Sequence, residues 1–185
     1  KSSITVSAKA SARINHVGTM QGMLPMALMR DNFTLGGNTE VKFDGSATGN
    51  RGAVRPDNNP PTCYTTAGAA DFRNLIEGEA NGGFDACAYA PGDLIQTQTG
   101  NMSGPTKQGF DSRLGSNSQT FSDVFELDAS TGKYIVKDPT SPRLGIVPVI
   151  ENTNGTTAWP GGSKDTVVLS YVLVYIGKTD TAGNP

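Results

Sequence analysis

With 185 residues, the chain is long enough for one well-buried core but not for two full domains, so residues 1–185 read as a single domain. Its 15 Lys and Arg against 17 Asp and Glu give a net charge of −2, so the totals imply no basic face and give nucleic-acid binding no electrostatic footprint. Only 17% of residues are charged while Gly (23) and Pro (11) abound, the composition of a loop-rich β protein rather than a helical bundle.

In chain order, Ile4, Val6, Ala8, Ala10 and Ala12 alternate with Thr5, Ser7, Lys9, Ser11 and Arg13, the period of a long half-buried strand. From His16 to Arg30, Met20, Met23, Met26 and Met29 recur every three residues among Gly18, Gly22 and Pro25. A ligand or metal stripe is one reading; the plainer one is gap-filling side chains in a short helix or loop. Thr39 to Phe43 reads as a strand after the Gly36-Gly37 turn, and Gly45 to Thr62 is so rich in turn residues that it reads as a long surface loop.

Ala67 to Ala80 is a helix candidate, with Ala69, Ala70, Phe72, Leu75 and Ile76 as its apolar face and Asp71 in the first turn. Gly92-Asp93 is turn chemistry, Leu94 to Thr99 a short strand, and Gly100-Asn101 its break. Ser103-Gly104-Pro105 then opens a second helix, with a side-chain acceptor near the cap and proline in the first turn. Thr106, Phe110 and Leu114 form its stripe and Gly115 its stop, while Gly109 costs the helix about 1 kcal/mol against alanine.

Thr120 to Leu127 fits a helical turn or a strand. Asp128 to Gly132 is a turn feeding the strand Lys133 to Val136. Leu144 to Ile150 is a strand in which Pro148 sits where no ladder N–H is needed, and Asn152 to Ser163 is a loop holding the single Trp159. Thr166 to Ile176 is apolar on both faces, the mark of a central strand. The expected fold is therefore α+β and β-rich: a mostly antiparallel sheet built on the first strand, 144–150 and the last strand, flanked by two short helices and long Gly/Pro/Asn-rich loops.

Cys63 and Cys87 are the only cysteines and stand in Gly/Pro/Asn-rich surroundings. A disulfide between them would stabilise the fold by about 3 kcal/mol in the chain-entropy model and would place the chain in an oxidising compartment. Two separate thiols are the alternative, and without CxxC spacing a metal or redox role is the weakest reading.

Catalytic chemistry has little to work with. His16 is the one histidine, no G-x-S-x-G occurs, and Ser130-Thr131-Gly132-Lys133 matches S-x-x-K in letters only, since a strand rather than a helix follows. Asp128-Ala129-Ser130-Thr131 is close to the metal-binding loop of adhesion domains but has Gly132 where a ligand belongs. Asp93, Asp111 and Asp123 are scattered, so no cofactor is indicated, although bound calcium is not excluded. The helix start at Ser103 to Thr106 could hold an anion, with a plain capped end the simpler reading. Asn32, Asn101 and Asn154 each head an N-x-Ser/Thr triplet, possible glycosylation sites that in any case mark surface.

Gly49-Asn50-Arg51-Gly52-Ala53, Ala67-Gly68-Ala69, Phe72 to Gly78, Pro91-Gly92-Asp93-Leu94-Ile95 and Thr99-Gly100-Asn101-Met102-Ser103-Gly104-Pro105-Thr106 form an ordered series. It continues through Gln108-Gly109, Ser141 to Val149 and the apolar strand from Val167. Over residues 1–177 this series resembles the extracytoplasmic domain of TadE/TadG-like proteins of bacterial tight-adherence (Flp-type) pilus assembly. The resemblance implies a hydrophobic helix upstream of Lys1, through which alone the chain would meet a membrane, and no motif of the series is catalytic. The cysteine pair is not expected across such proteins.

The expected function is thus non-enzymatic: an extracytoplasmic, pilin-like or minor assembly domain working by display and protein contact, with other pilus or envelope proteins or copies of itself as partners. Three rivals remain. One is a secreted glycan-binding module stacking sugars on Trp159 and tyrosines of the late loops, another a small secreted hydrolase built on two carboxylates, and the last a capsid-like structural protein.

Overall fold

The computed structural model describes residues 3–7, 22–31, 38–42, 51–55, 68–79, 83, 88–99 and 102–179. Strand β9 (Asp165–Thr179) organises them. At fifteen residues it spans about 50 Å, long enough to serve two neighbours on one side. Its start pairs with β5 (Leu94–Thr97) and its end with β1 (Ser3–Ser7), while β8 (Leu144–Asn152) lies antiparallel along most of its other side.

Two strands absent from the sequence reading complete the sheet. The methionine-rich segment, expected as a short helix or loop, contains β2 (Met26–Met29), and the expected surface loop contains β4 (Arg51–Arg55). β4 joins β5 to β2, and β2 joins β4 to β8, so the order β9-β5-β4-β2-β8 returns to β9 and closes a five-stranded barrel. β1 and β3 (Asn38–Lys42) extend the sheet beyond the ring. The pairing is antiparallel throughout except between β2 and β8, so the β-rich α+β expectation, with a mostly antiparallel sheet, holds. Closure is what the sequence could not announce: it removes edges by long-range pairing that leaves no local signature.

β2 shows why the pattern misled. All four of its residues are buried. Met26 and Leu28 join one apolar cluster with Phe72, Ile76, Phe110 and Leu114, while Ala27 and Met29 join another with Val54, Tyr89, Ile95 and Ile150. A strand apolar on both faces has no alternation to detect. Pro148 is accommodated because the registered β2–β8 pairs are Leu28 with Val149 and Met29 with Ile150, so the missing N–H falls just outside the short parallel ladder.

The helices occupy their expected places with shifted bounds. α1 (Ala69–Glu77) buries Phe72, Leu75 and Ile76, whereas Ala69 and Ala70, expected on that face, are exposed. α2 starts earlier than its apolar stripe, running Ser103–Leu114; Thr106, Phe110 and Leu114 are buried as expected, and Gly115 ends the helix at φ 49°. The N-cap residue is Met102, one position before Ser103, and the buried Thr106 hydroxyl donates to the Met102 carbonyl at 2.6 Å. Gly109 stands where the two helices meet. A Cβ there would lie 2.8 Å from Ile76 Cβ and 3.0 Å from the Arg73 carbonyl, so its low helix propensity is offset by close packing.

The ambiguous stretch after α2 resolves as both options in succession, α3 (Phe121–Val124) followed by β6 (Phe125–Asp128), which pairs with β7 (Lys133–Val136) in a separate two-stranded hairpin. Among the described residues no helix is long and apolar enough to cross a membrane.

Candidate functional site

Residues 117–143 leave the barrel after α2 and return as β8 begins, and two arginines hold the base of this excursion. Arg113, in the last turn of α2, donates from Nε to the Pro142 carbonyl (2.9 Å), from Nη1 to that of Ile76 (3.0 Å) and from Nη2 to that of Leu144 (3.0 Å). One guanidinium thus ties the end of α1 to the start of β8, a task that its planar fork of five donors suits and an ammonium does not. The Ile76 carbonyl is one that a helix end leaves without an intrahelical partner.

Arg143 does the same one layer out. Its Nε and Nη2 donate to the side-chain and backbone oxygens of Asn117 (2.9 and 2.6 Å), and its Nη1 to the carbonyls of Ile176 and Gly177 (2.9 and 3.2 Å). The Tyr175 ring centroid lies 5.8 Å from the same cation. Gln119 links the remainder. Its Oε1 accepts from Asn117 Nδ2 (2.9 Å) and Ser141 Oγ (2.7 Å), its Nε2 donates to Asp138 Oδ2 (2.7 Å), and its carbonyl accepts from the Tyr175 hydroxyl (2.7 Å). Beside this network an aromatic cluster seats the hairpin on β9: the Phe121 ring stacks on Phe125 at 5.1 Å and meets Tyr134 and Tyr175 edge-on at 5.1 and 5.7 Å.

The hairpin's turns are closed by carboxylates. Asp128 Oδ1 accepts from the backbone N and hydroxyl of Ser130 (2.9 and 2.6 Å) and its Oδ2 from the Thr131 hydroxyl (2.7 Å), which holds its pKa down to about 2. Asp123 is lowered by the backbone N–H and hydroxyl of Thr120 in a capping box, and Asp138 by Thr140 and Gln119. Beside exposed Glu126, Lys133 and Lys137, the hairpin exposes Leu127 (52%) and Ile135 (49%), two of the three large hydrophobic residues exposed among the described ones, Leu94 being the third.

The residues singled out from sequence are not gathered into one site. Gly92 is exposed in the turn before β5, its N–H bonded to the Val168 carbonyl, and Asp93 accepts from the Ala90 N–H at 2.8 Å. Nearby, the Tyr171 hydroxyl donates to the Tyr89 carbonyl at 2.6 Å, and burial, then the charge of Asp93, pushes its pKa up to about 12. Met102 and Thr106 are core at the start of α2, where Gly104 is exposed and Pro105 half-buried. Asn154 is exposed, and its Oδ1 accepts from Thr156 N (3.1 Å) and Oγ1 (2.8 Å). Cys63, Cys87, Gly100, Asn101, Asn32 and His16 lie outside the described residues.

Asp111 pairs with Lys107 one helical turn back. Among the described residues no three His, Cys, Asp or Glu side chains come together as a metal site. Trp159, the stacking platform of the glycan-binding reading, is half-buried against β4: a Cβ on Gly52 would fall 2.3 Å from its Cζ2. The two arginines were missed as a pair because their partners are mostly carbonyls, which no side-chain motif reveals. Ser141-Pro142-Arg143 was the one visible trace.

Comparison with protein-family models, with curated proteins and with solved structures finds no match for the chain.

Proposed function

We propose that the chain is a non-enzymatic, extracytoplasmic structural domain of a pilus- or envelope-assembly system, and that it works by presenting the 117–143 excursion to other proteins. The observation that carries this reading is the double arginine clamp. Arg113 and Arg143 direct their donors at carbonyls of α1, β8 and β9 and at Asn117, so the polar groups at the joint hold a shape. Arg143 belongs to the Ser141-Pro142-Arg143 part of the series that resembles TadE/TadG-like proteins, and Gly109 of the same series brings α1 against α2, the helix that bears Arg113. A frame of this kind positions loops for contact.

The reading is tested in the bacterium that makes the protein. Cell fractionation is expected to place the chain in the envelope or in sheared surface filaments, with no thiol available for alkylation in the denatured, unreduced protein because Cys63 and Cys87 are joined. A photo-crosslinker at exposed Ser130 is expected to capture an envelope protein. Recovery in the cytosol with two free thiols overturns the reading.

A further inference from the structure

The free edge of β7 has a defined polarity and a defined set of side chains. The Lys137 N–H bonds to the Val124 carbonyl at 2.8 Å, and Ile135 and Lys133 pair with Glu126 and Asp128. Antiparallel strands alternate residues that point their backbone groups at the neighbour with residues that point them away. Tyr134 and Val136 therefore turn their N–H and C=O groups outward, and among the described residues β6 is the only strand beside β7. On the face away from the aromatic cluster, Lys133, Ile135 and Lys137 are all exposed. Among the described residues the edge is an unpaired ladder decorated basic, apolar, basic, with Lys137 Nζ also donating to the Ser122 carbonyl at 3.3 Å and Glu126 and Asp128 lying opposite Ile135 and Lys133 on the inner strand.

That pattern discriminates between occupants. A second copy pairing symmetrically about Ile135 would join Tyr134 to Val136 through the outward groups, and would set Lys133 directly opposite Lys137 of the other copy, twice. Like charges in facing positions are destabilising, and lysine on an edge strand is a recognised guard against self-pairing. An extended segment with carboxylates two residues either side of an apolar residue meets the same edge with both lysines neutralised and Ile135 covered.

We propose that β7 is a strand-addition site for an extended acidic–apolar–acidic segment of a partner protein, and that its two lysines refuse a second copy of the chain. Main-chain pairing supplies the attachment and the alternate side chains supply the choice of partner. The proposal rests on the reading that the 117–143 excursion is presented to other proteins, and not on the compartment in which the protein works.

The probes are two peptides, acetyl-Thr-Glu-Thr-Val-Thr-Glu-Thr-amide and its counterpart with lysines in place of both glutamates, titrated into the isotope-labelled chain. The acidic peptide is expected to shift the backbone amides of residues 133–137 and to bind about tenfold or more tighter than the basic one, since two facing charge pairs change from attraction to repulsion. The Lys133→Glu, Lys137→Glu double variant is expected to reverse that preference. The single Lys137→Glu variant makes the edge self-complementary and is expected to dimerise in sedimentation experiments where the parent is monomeric. Both substituted positions are exposed, and retained amide dispersion shows that the variants fold. Absence of shifts at 133–137, equal binding of the two peptides, or a Lys137→Glu variant that stays monomeric overturns the proposal.

Discussion

β2 and β7 are strands of four residues each, yet they obey opposite rules. Met-Ala-Leu-Met of β2 is buried along its whole length between β4 and β8, whereas Lys-Tyr-Ile-Val of β7 alternates exposed and half-buried residues and has one neighbouring strand among the described residues. The first strand exists because the barrel closes around it; the second because a hairpin turn and an aromatic seat hold it on β9. The difference separates what long-range closure builds from what local chemistry builds.

The contrast is broken most forcefully from the β2 side. Met29→Ala, at a fully buried position, is expected to destabilise the whole chain by about 2–5 kcal/mol in denaturant unfolding, with barrel and hairpin signals lost together. An effect under about 1 kcal/mol would mean that β2 is not part of the closed core. Arg113→Met comes next. It leaves the carbonyls of Ile76, Pro142 and Leu144 without that donor and is expected to cost about 2–3 kcal/mol, with Arg113→Lys recovering little because an ammonium's donors radiate from a single nitrogen and cannot match carbonyls that each meet a different guanidinium nitrogen.

Gly52→Ala probes the seat of Trp159 on β4. The added methyl forces the ring to move, with an expected loss of about 1–3 kcal/mol and a red shift in emission, which is a clean reporter because the chain has a single tryptophan. An unchanged spectrum would place the ring elsewhere in solution.

The smallest effects sharpen the β7 side. The folded-state pKa of Asp128 is about 2, below its ordinary 3.8, so its contribution is present above the unfolded value and is lost as pH falls from about 4 towards 2. Amide protection in residues 125–136 is therefore expected to fall over that window before the barrel responds, and Asp128→Asn is expected to weaken this pH dependence, leaving the part carried by Asp123 and Asp138. Ile135→Thr, on the exposed face, is expected to change stability by no more than about 0.5 kcal/mol.

The same contrast explains how much could be read in advance. β7 and its turn were legible because a one-sided strand alternates and Asp128 to Gly132 is turn chemistry. α2 was legible from Thr106, Phe110 and Leu114, and β9 from apolar residues on both faces. Met26–Met29 and Arg51–Arg55 were not. Methionine and glycine are poor strand signals, and here they are strands because Met26 and Leu28 meet helices on one side, Ala27 and Met29 meet Val54 and Ile150 on the other, and Gly52 makes room for Trp159. At the candidate site, Asp128 could be read as a local turn former, but Arg113, Asn117 and Gln119 could not, since each acts on groups brought near by the fold.

By itself, the order of residues determined the α+β, β-rich class, both main helices, the hairpin turn and the long last strand, because propensity, period and turn chemistry act within a few residues. Only the tertiary structure decided that β9 closes on β5 and β8 into a barrel, that two unpromising segments complete it, and that two arginines clamp the excursion that carries β7. These are pairings between residues up to a hundred or more positions apart, fixed by mutual burial and by carbonyl geometry that no local window contains.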